Sequence, residues 1–384
     1  MRVLIDCLSA RAGGGVTDAA QLLPQLAAEA EETELSVMLS SRYQRDLISL
    51  VPASVRLIDA DIPPGLAARM SYLTRRVPEV VRDRAVDVLL TMGEISAYRA
   101  PCRRIAYFRN PNLIASPRLF EGVEPKVRHL VYRSVRRPLV RATIKRSHRI
   151  LFLSKTFARE VQDALGIDPS KSAVVYLGVN PGFTPGTADR DVLSRLDVPD
   201  HYLLAVSTFT RHKNYPRLLR AFASLLEGGA PPDLNLLIAG GPGPADVMRD
   251  VHRELDTPIL RGRVRLLGAV AYDDMPHLYR GARAFVLPTK LETFCHPLVE
   301  AMATGVPVLT SDLPITKEIC GEAALYVAPL DTAGLTTGMA TVIGDNSVRA
   351  TLIGRGVERA RDFSWARTAR GVLREMEGVT AVGS

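Results

Sequence analysis

Two glutamates eight positions apart, Glu292 and Glu300, lie in LETFCHPLVEAMATGVPVLTSD (291–312). Ionised carboxylates repel phosphate; their good partners are hydroxyls, which donate charge-assisted hydrogen bonds to them. Between the two, Pro297 suits the first turn of a helix, where a missing N–H goes unused. The free N–H groups of a helix start suit a phosphate. Phosphate and several hydroxyls in one ligand describe a sugar nucleotide. Two unrelated surface glutamates would show the same spacing, so the surrounding residues must decide.

The elements that hold the pair are legible. RAFVLP (283–288) is an apolar strand ending shortly before Glu292. A helix then runs to about Thr304, with Gly305 as its stop, and the strand VPVLT (306–310) follows. Glu292 thus falls in a loop at a strand's carboxyl end, and Glu300 about one turn into the next helix. Open α/β sheets bind ligands at that edge. The same alternation covers the whole chain. Strands are expected at 2–6, 35–39, 55–58, 86–91, 104–108, 149–153 and 173–176, then at 202–206, 234–239, 263–267, 283–287, 306–309 and 324–327. Helical stretches between them predict parallel α/β architecture. GVNPGFTPGTADRD (178–191) has the Gly- and Pro-rich composition of a linker. The chain therefore reads as two doubly wound, Rossmann-like domains facing a cleft.

Two further loops carry chemistry-bearing residues. In VSTFTRHKNYPRLLRAF (206–222), Asn214 can cap the next helix, Pro216 lies in its first turn, and Leu218, Leu219, Phe222, Leu225 and Leu226 form one apolar face. Arg211 and Lys213, just ahead of that helix, could neutralise a diphosphate leaving group. In RAGGGVTDAAQLL (11–23), three consecutive glycines follow the first strand, and such a turn lets backbone N–H groups approach an anion. Neither half has G-x-G-x-x-G, which speaks against a nicotinamide-dependent dehydrogenase.

The stretch E-T-F-C-H-P-L-V-E-A-M-A-T-G-V-P-V resembles the E-x7-E signature of retaining GT-B glycosyltransferases of family 4. Glu292, Phe294, Pro297, Glu300, Ala301, Met302, Ala303, Gly305, Pro307 and Val308 fit; Cys295 stands where glycine is usual. The resemblance extends to 150–185, to GEAALYVAPLD (321–331) and to FSWARTARGVL (363–373), the last resembling a closing helix that crosses back to the N-terminal domain. It implies an acceptor-binding domain at 1–185, a nucleotide-sugar-binding domain at 186–362 and a crossing helix at 363–384.

The resemblance also implies site roles. Glu292, Lys213 and Arg211 become the catalytic set, with either Arg211 or His212 at the family's arginine position. Glu300 would bind the ribose hydroxyls. Gly14, Gly15, Ser207, Phe294, Cys295, His296, Pro297 and Leu298 would line the donor, Ser207 replacing a usual glycine. The glycines of IAGGPGP (238–244) line the same edge in the family or form a plain turn. Arg109 and Asn110 occupy an acceptor-facing position where relatives carry His-Asp, so Arg109 could meet a phosphorylated acceptor. Met92, Gly93 and Glu94 end the neighbouring strand, where core or turn roles weigh more. His296 reads as a loop histidine bonded to backbone rather than a general base.

Composition narrows the setting. The 384 residues suit two domains, and 47% hydrophobic residues suffice for real cores. The start lacks a signal peptide's long apolar region, and no apolar run reaches 18 residues. Cys7, Cys102, Cys295 and Cys320 are scattered, which suits a reducing cytosol and fits neither a disulfide framework nor a zinc site. No metal site and no cofactor is expected. The net charge of +8 is concentrated in 126–149, with nine Lys/Arg and no acid. Its apolar residues recur at roughly helical spacing around Pro138. This is either a basic amphipathic helix on an anionic membrane surface or a core-packed helix with a solvated basic face. No nucleic-acid motif accompanies the charge.

The expectation is thus a cytoplasmic enzyme, peripheral on the inner face of the cell membrane. It would move a sugar from a nucleoside-diphosphate donor to a glycan or lipid-linked acceptor with retention, in cell-envelope or polysaccharide synthesis. The alternatives are a sugar-nucleotide epimerase or phosphorylase of the same fold, and a non-catalytic sugar-nucleotide or membrane-binding scaffold.

Overall fold

The computed structural model describes residues 1–10, 14–62, 66–97, 99–110 and 127–381; the side chains of 66–67 and 127–136 are also outside the description. Residues 11–13 and Lys126 of the motifs above therefore lie outside the described residues. The chain forms two compact units, Met1–Gly178 with Ser364–Ser384, and Val179–Phe363.

The first unit has a seven-stranded sheet: β1 (Arg2–Asp6), β2 (Glu34–Leu39), β3 (Arg56–Asp59), β4 (Val88–Thr91), β5 (Arg103–Phe108), β6 (Arg149–Phe152) and β7 (Ser172–Val174). Its order is β3-β2-β1-β4-β5-β6-β7, and the neighbouring strands are paired in parallel. The order reverses between β1 and β4, which makes their carboxyl ends the switch point. Strand β4 begins later than expected because the Val86 N–H is already spent on Val81 O, closing the preceding helix. Leu4, Leu89, Ala106, Phe108, Ile150 and Phe152 belong to one buried cluster. Ser154 caps the helix Lys155–Leu165 by accepting from Phe157 N, and Gly166, at φ 65°, ends it.

The basic segment forms the helix Val127–Arg146, with Pro138 inside it. Val140 is buried in the core and Leu139 and Ile144 pack against it, while Arg137, Arg141, Lys145 and Arg146 are exposed. In the described part, then, the helix packs inward and carries its charge outward. The final helix, Trp365–Ala381, belongs to this unit and packs on the helix Gly14–Glu29. Arg370 reaches Glu29 at 2.8 Å and Arg149 reaches Glu375 at 2.5 Å.

The second unit has six strands: β8 (Tyr202–Val206), β9 (Asn235–Ala239), β10 (Val264–Gly268), β11 (Ala284–Leu287), β12 (Val308–Ser311) and β13 (Ala324–Val327). The order β10-β9-β8-β11-β12-β13 is again parallel and again reverses, here between β8 and β11. All thirteen expected strands are present. The start of β12 shifts to Val308 because Pro307 has no N–H for a ladder; its carbonyl instead accepts from Phe285 N. The helix Tyr215–Glu227 buries Leu218, Leu219, Phe222 and Leu225 as its spacing predicts.

Candidate active site

The loops that leave β8 and β11 are the two that flank the switch point of the second unit, and they carry Lys213 and Glu292. Lys213 Nζ donates to Glu292 Oε1 at 2.6 Å, with both side chains about nine-tenths buried. Burial alone would lower the lysine's pKa. The Glu292 carboxylate outweighs it, so the amine is held above its ordinary range and stays charged. Beside them, His212 is pushed down to about 4 by burial and by the Lys213 charge, and it is therefore neutral at pH 7. Its carbonyl accepts from Lys290 N at 2.7 Å and from Thr289 Oγ1 at 3.1 Å, which stitches the two loops together.

Arg211 faces away from this pair. Its guanidinium engages Asp246 and, at 3.4 Å, Asp250, both on the helix Ala245–Leu255. Ser207 Oγ lies 2.7 Å from the Tyr215 hydroxyl. Gly240 and Gly243 are explained by packing: a Cβ on either would lie within about 2 Å of the carbonyl oxygen of Ser207 or Phe209. Asn214 occupies the N-cap position but does not cap the helix. It is left-handed at φ 63°, and its Nδ2 donates to Pro329 O at 3.0 Å instead.

The signature helix is His296–Ala303, with Pro297 in its first turn and Gly305 beyond it at φ 74°. His296 opens the helix rather than ending a loop, and its ring meets Phe294 edge-on at 5.3 Å. Cys295 precedes it at φ 77°, ψ 72°. This conformation is the physical reason a glycine suits the position, because a Cβ there costs about 1–2 kcal/mol. Burial, with Glu292 nearby, pushes the Cys295 thiol well up, so it is not a thiolate. Phe294 and Leu298 are core residues, with 1% and 0% exposure.

Glu300 is buried and accepts two tyrosine hydroxyls: Tyr279 on Oε2 at 2.9 Å and Tyr272 on Oε1 at 3.3 Å. Burial raises its pKa, while His296 and the two tyrosines pull in the other direction.

The first unit gathers a separate group at its own switch point. Arg109, after β5, donates to Asp18 at 2.9 Å; Asp18 lies on the helix that starts at Gly14. The guanidinium lies over Gly15, where a Cβ would come within 2.3 Å of Nη2. Glu94 accepts the backbone N–H of Asn110 at 2.8 Å and of Arg109 at 3.3 Å, giving it the turn role expected of that stretch. The charge on Arg109, expected to meet phosphate, is thus balanced here by two carboxylates. Ser9 Oγ donates to Met92 O, and Gly93 lacks the Cβ that would collide with Ser9.

Residues 193–359 match the family described as glycosyl transferases group 1, and residues 12–183 match glycosyltransferase family 4. The chain belongs to the group 1 glycosyltransferases. Among relatives of this chain, the O-antigen chain mannosyltransferase B of Escherichia coli is 34% identical over 43% of this chain and 42% of its own. A D-inositol 3-phosphate glycosyltransferase of Salinispora tropica is 30% identical over 70% of this chain and 56% of its own. The chain thus spans about half the length of these curated relatives. The solved structure of Anabaena HepE in complex with UDP and glucose shares the fold, with a TM-score of 0.76, 18% identity, and coverage of 98% of this chain and 100% of that one.

In the second unit, Lys213, Glu292, Cys295, His296 and Glu300 lie on the two loops, and on the helix that follows the second of them, at one sheet edge. Gly14, Gly15, Arg109 and Asn110 lie in the other unit. Sequence reasoning missed Asp18, Asp246, Tyr272 and Tyr279. Asp18 does stand in the turn after a glycine run. The tyrosines lie 28 and 21 positions before Glu300, with no motif linking them to it.

Proposed function

We propose that this glycosyltransferase moves a hexose from a nucleoside-diphosphate donor to an acceptor hydroxyl with retention of anomeric configuration. The observation that carries the proposal is the placement of the buried Lys213–Glu292 pair and of Glu300 together at the second unit's switch point. Glu300 offers a buried carboxylate to ribose hydroxyls. Glu292 offers one to the hydroxyls of the transferred sugar. Lys213 holds a positive charge that a departing diphosphate would engage, and the start of the signature helix adds N–H donors. Arg211 would join Lys213 only by leaving Asp246 and Asp250, whose carboxylates balance its charge in this structure. The acceptor hydroxyl attacks C1 on the leaving-group face, the C1–O bond to the diphosphate breaks, and the leaving phosphate takes the hydroxyl proton. Charge is balanced by these side chains, without an essential metal or cofactor.

The donor class is supported by HepE, solved with UDP and glucose, and a glycan acceptor is supported by the O-antigen mannosyltransferase relative. The described part of the first unit's edge, with Asp18 and Glu94 around Arg109, suits a hydroxyl-rich acceptor. No helix among the described residues is long and apolar enough to cross a membrane. Cytoplasmic placement against an anionic inner-membrane surface, through the exposed Arg137, Arg141, Lys145 and Arg146, would bring a lipid-linked acceptor within reach. Nucleic acid has no role in this scheme.

The test is turnover. Wild-type protein is incubated with UDP-, GDP-, ADP- and dTDP-hexoses and glycan or lipid-linked acceptors, and released diphosphate and product anomer are followed by NMR. A product with the donor's configuration supports the proposal. Donor binding without transfer to any acceptor would make the protein a scaffold, and an inverted product would refute retention.

A further inference from the structure

The two tyrosines on Glu300 differ in how they are held. Tyr279 is fully buried on the helix Met275–Gly281, its ring 5.7 Å from Phe183 and 5.5 Å from Phe285. Its hydroxyl bond to Oε2 is the shorter, at 2.9 Å. Tyr272 begins the single 3₁₀ turn Tyr272–Asp274 and is half-buried, its ring 5.5 Å from Phe183. Its bond to Oε1 is the longer, at 3.3 Å. A carboxylate in a buried site needs donors, since without them burial drives it to take up a proton. A ribose hydroxyl and a tyrosine hydroxyl offer the same donor chemistry to that oxygen.

We propose that Tyr272 is a displaceable stand-in for a ribose hydroxyl of the donor, leaving Glu300 Oε1 when a ribonucleotide enters, while Tyr279 remains as a positioning residue that fixes Oε2. The inference rests on Glu300 being the ribose-binding group. It adds a specificity consequence. When the ligand lacks ribose hydroxyls, Tyr272 keeps its bond and Glu300 is not left unsatisfied, so the penalty for the missing hydroxyls is reduced. Tyr272 therefore tempers the preference for ribose that Glu300 creates, and Tyr279 maintains it.

The experiment compares UDP, GDP and ADP with their 2′,3′-dideoxy counterparts by calorimetry, on wild type, Tyr272→Phe and Tyr279→Phe, with circular dichroism and thermal unfolding as folding controls. For the diphosphate that binds wild type, Tyr272→Phe is expected to tighten ribonucleotide binding roughly 3- to 10-fold, the size of one modest hydrogen bond no longer broken. The ribo-to-dideoxy ratio should widen by a similar factor. Tyr279→Phe should weaken ribonucleotide binding and shrink the ratio. A merely structural Tyr272 would not widen the ratio. An unchanged ratio, or weaker ribonucleotide binding, in folded Tyr272→Phe overturns the proposal, even if Tyr279→Phe proves unstable. If wild type binds a diphosphate with no preference for ribose, the ribose role of Glu300 fails and the inference with it. If the ratio is large in wild type but Tyr272→Phe does not move it, the Glu300 role stands and only the stand-in fails.

Discussion

Lys213 Nζ and Glu292 Oε1 meet at 2.6 Å, although the residues lie 79 positions apart and on different loops. The contact is made because β8 and β11 are neighbours at the point where the sheet order reverses. Each residue is the other's counter-ion in a buried place. The ligand's diphosphate and sugar would therefore engage groups already aligned with one another, and preorganisation of this kind lowers the cost of stabilising charge as it develops.

Removing one partner should be costly. Glu292→Ala leaves the Lys213 ammonium buried without its counter-ion, which costs about 3–5 kcal/mol for pairs of this type. Denaturant unfolding should register that loss, and steady-state kinetics on the folded fraction should show a fall mainly in kcat. The double change Lys213→Met with Glu292→Leu should recover much of the stability but none of the turnover. Full stability in Glu292→Ala would mean that the pair is not buried as described.

Acid should loosen the second unit through His212. Burial and Lys213 hold its folded pKa at about 4, below the 6.5 of a free histidine. In that interval the unfolded chain binds a proton that the folded chain refuses. Stability from this group is thus complete above about pH 6.5 and is lost as the pH falls toward 4. His212→Gln should flatten the profile of Tm against pH over this window, and an unaltered profile would argue against a neutral, buried imidazole.

Cys295 sits where glycine is usual, at φ 77°. Cys295→Gly relieves a left-handed Cβ, a gain of about 1–2 kcal/mol. It also loses a buried thiol and adds backbone freedom to the unfolded chain, an opposing cost of about 1 kcal/mol. The variant should fold with a Tm close to wild type or above it. A large fall in Tm would show that the thiol makes a contribution beyond filling space.

Gly15→Ala places a methyl where the Arg109 guanidinium lies, and the arginine must then give up Asp18. A loss of about 1–3 kcal/mol is expected, the cost of leaving a buried polar group unsatisfied. The same substitution in an Arg109→Ala background should be nearly silent, and this double-mutant cycle isolates the coupling. Equal losses in both backgrounds would place the effect in the backbone instead.

Much of the fold was legible in the sequence, because short apolar runs separated by helical spacing report strand identity locally. Their ends were less legible: Val86 and Pro307 read as strand residues by apolarity, yet one N–H is spent on a helix end and the other does not exist. The glutamate pair and Lys213 could be picked out by motif. The residues that hold the candidates in place could not, since Tyr272 and Tyr279 reach Glu300, Asp246 reaches Arg211 and, in the first unit, Asp18 reaches Arg109 only through tertiary packing. Asn214 shows the limit of a local rule, because a long-range bond to Pro329 and a left-handed backbone displaced the cap that its residue type favours.

The central claim is that Glu300 belongs to a nucleoside-diphosphate site in the second unit, and calorimetry tests it directly. UDP, GDP, dTDP and ADP are titrated into wild type and Glu300→Ala, with folding of both checked first. One diphosphate should bind wild type, and the substitution should weaken it by at least about tenfold, the worth of hydrogen bonds to a charged acceptor. Equal binding by both proteins, or no binding to folded wild type, would contradict it.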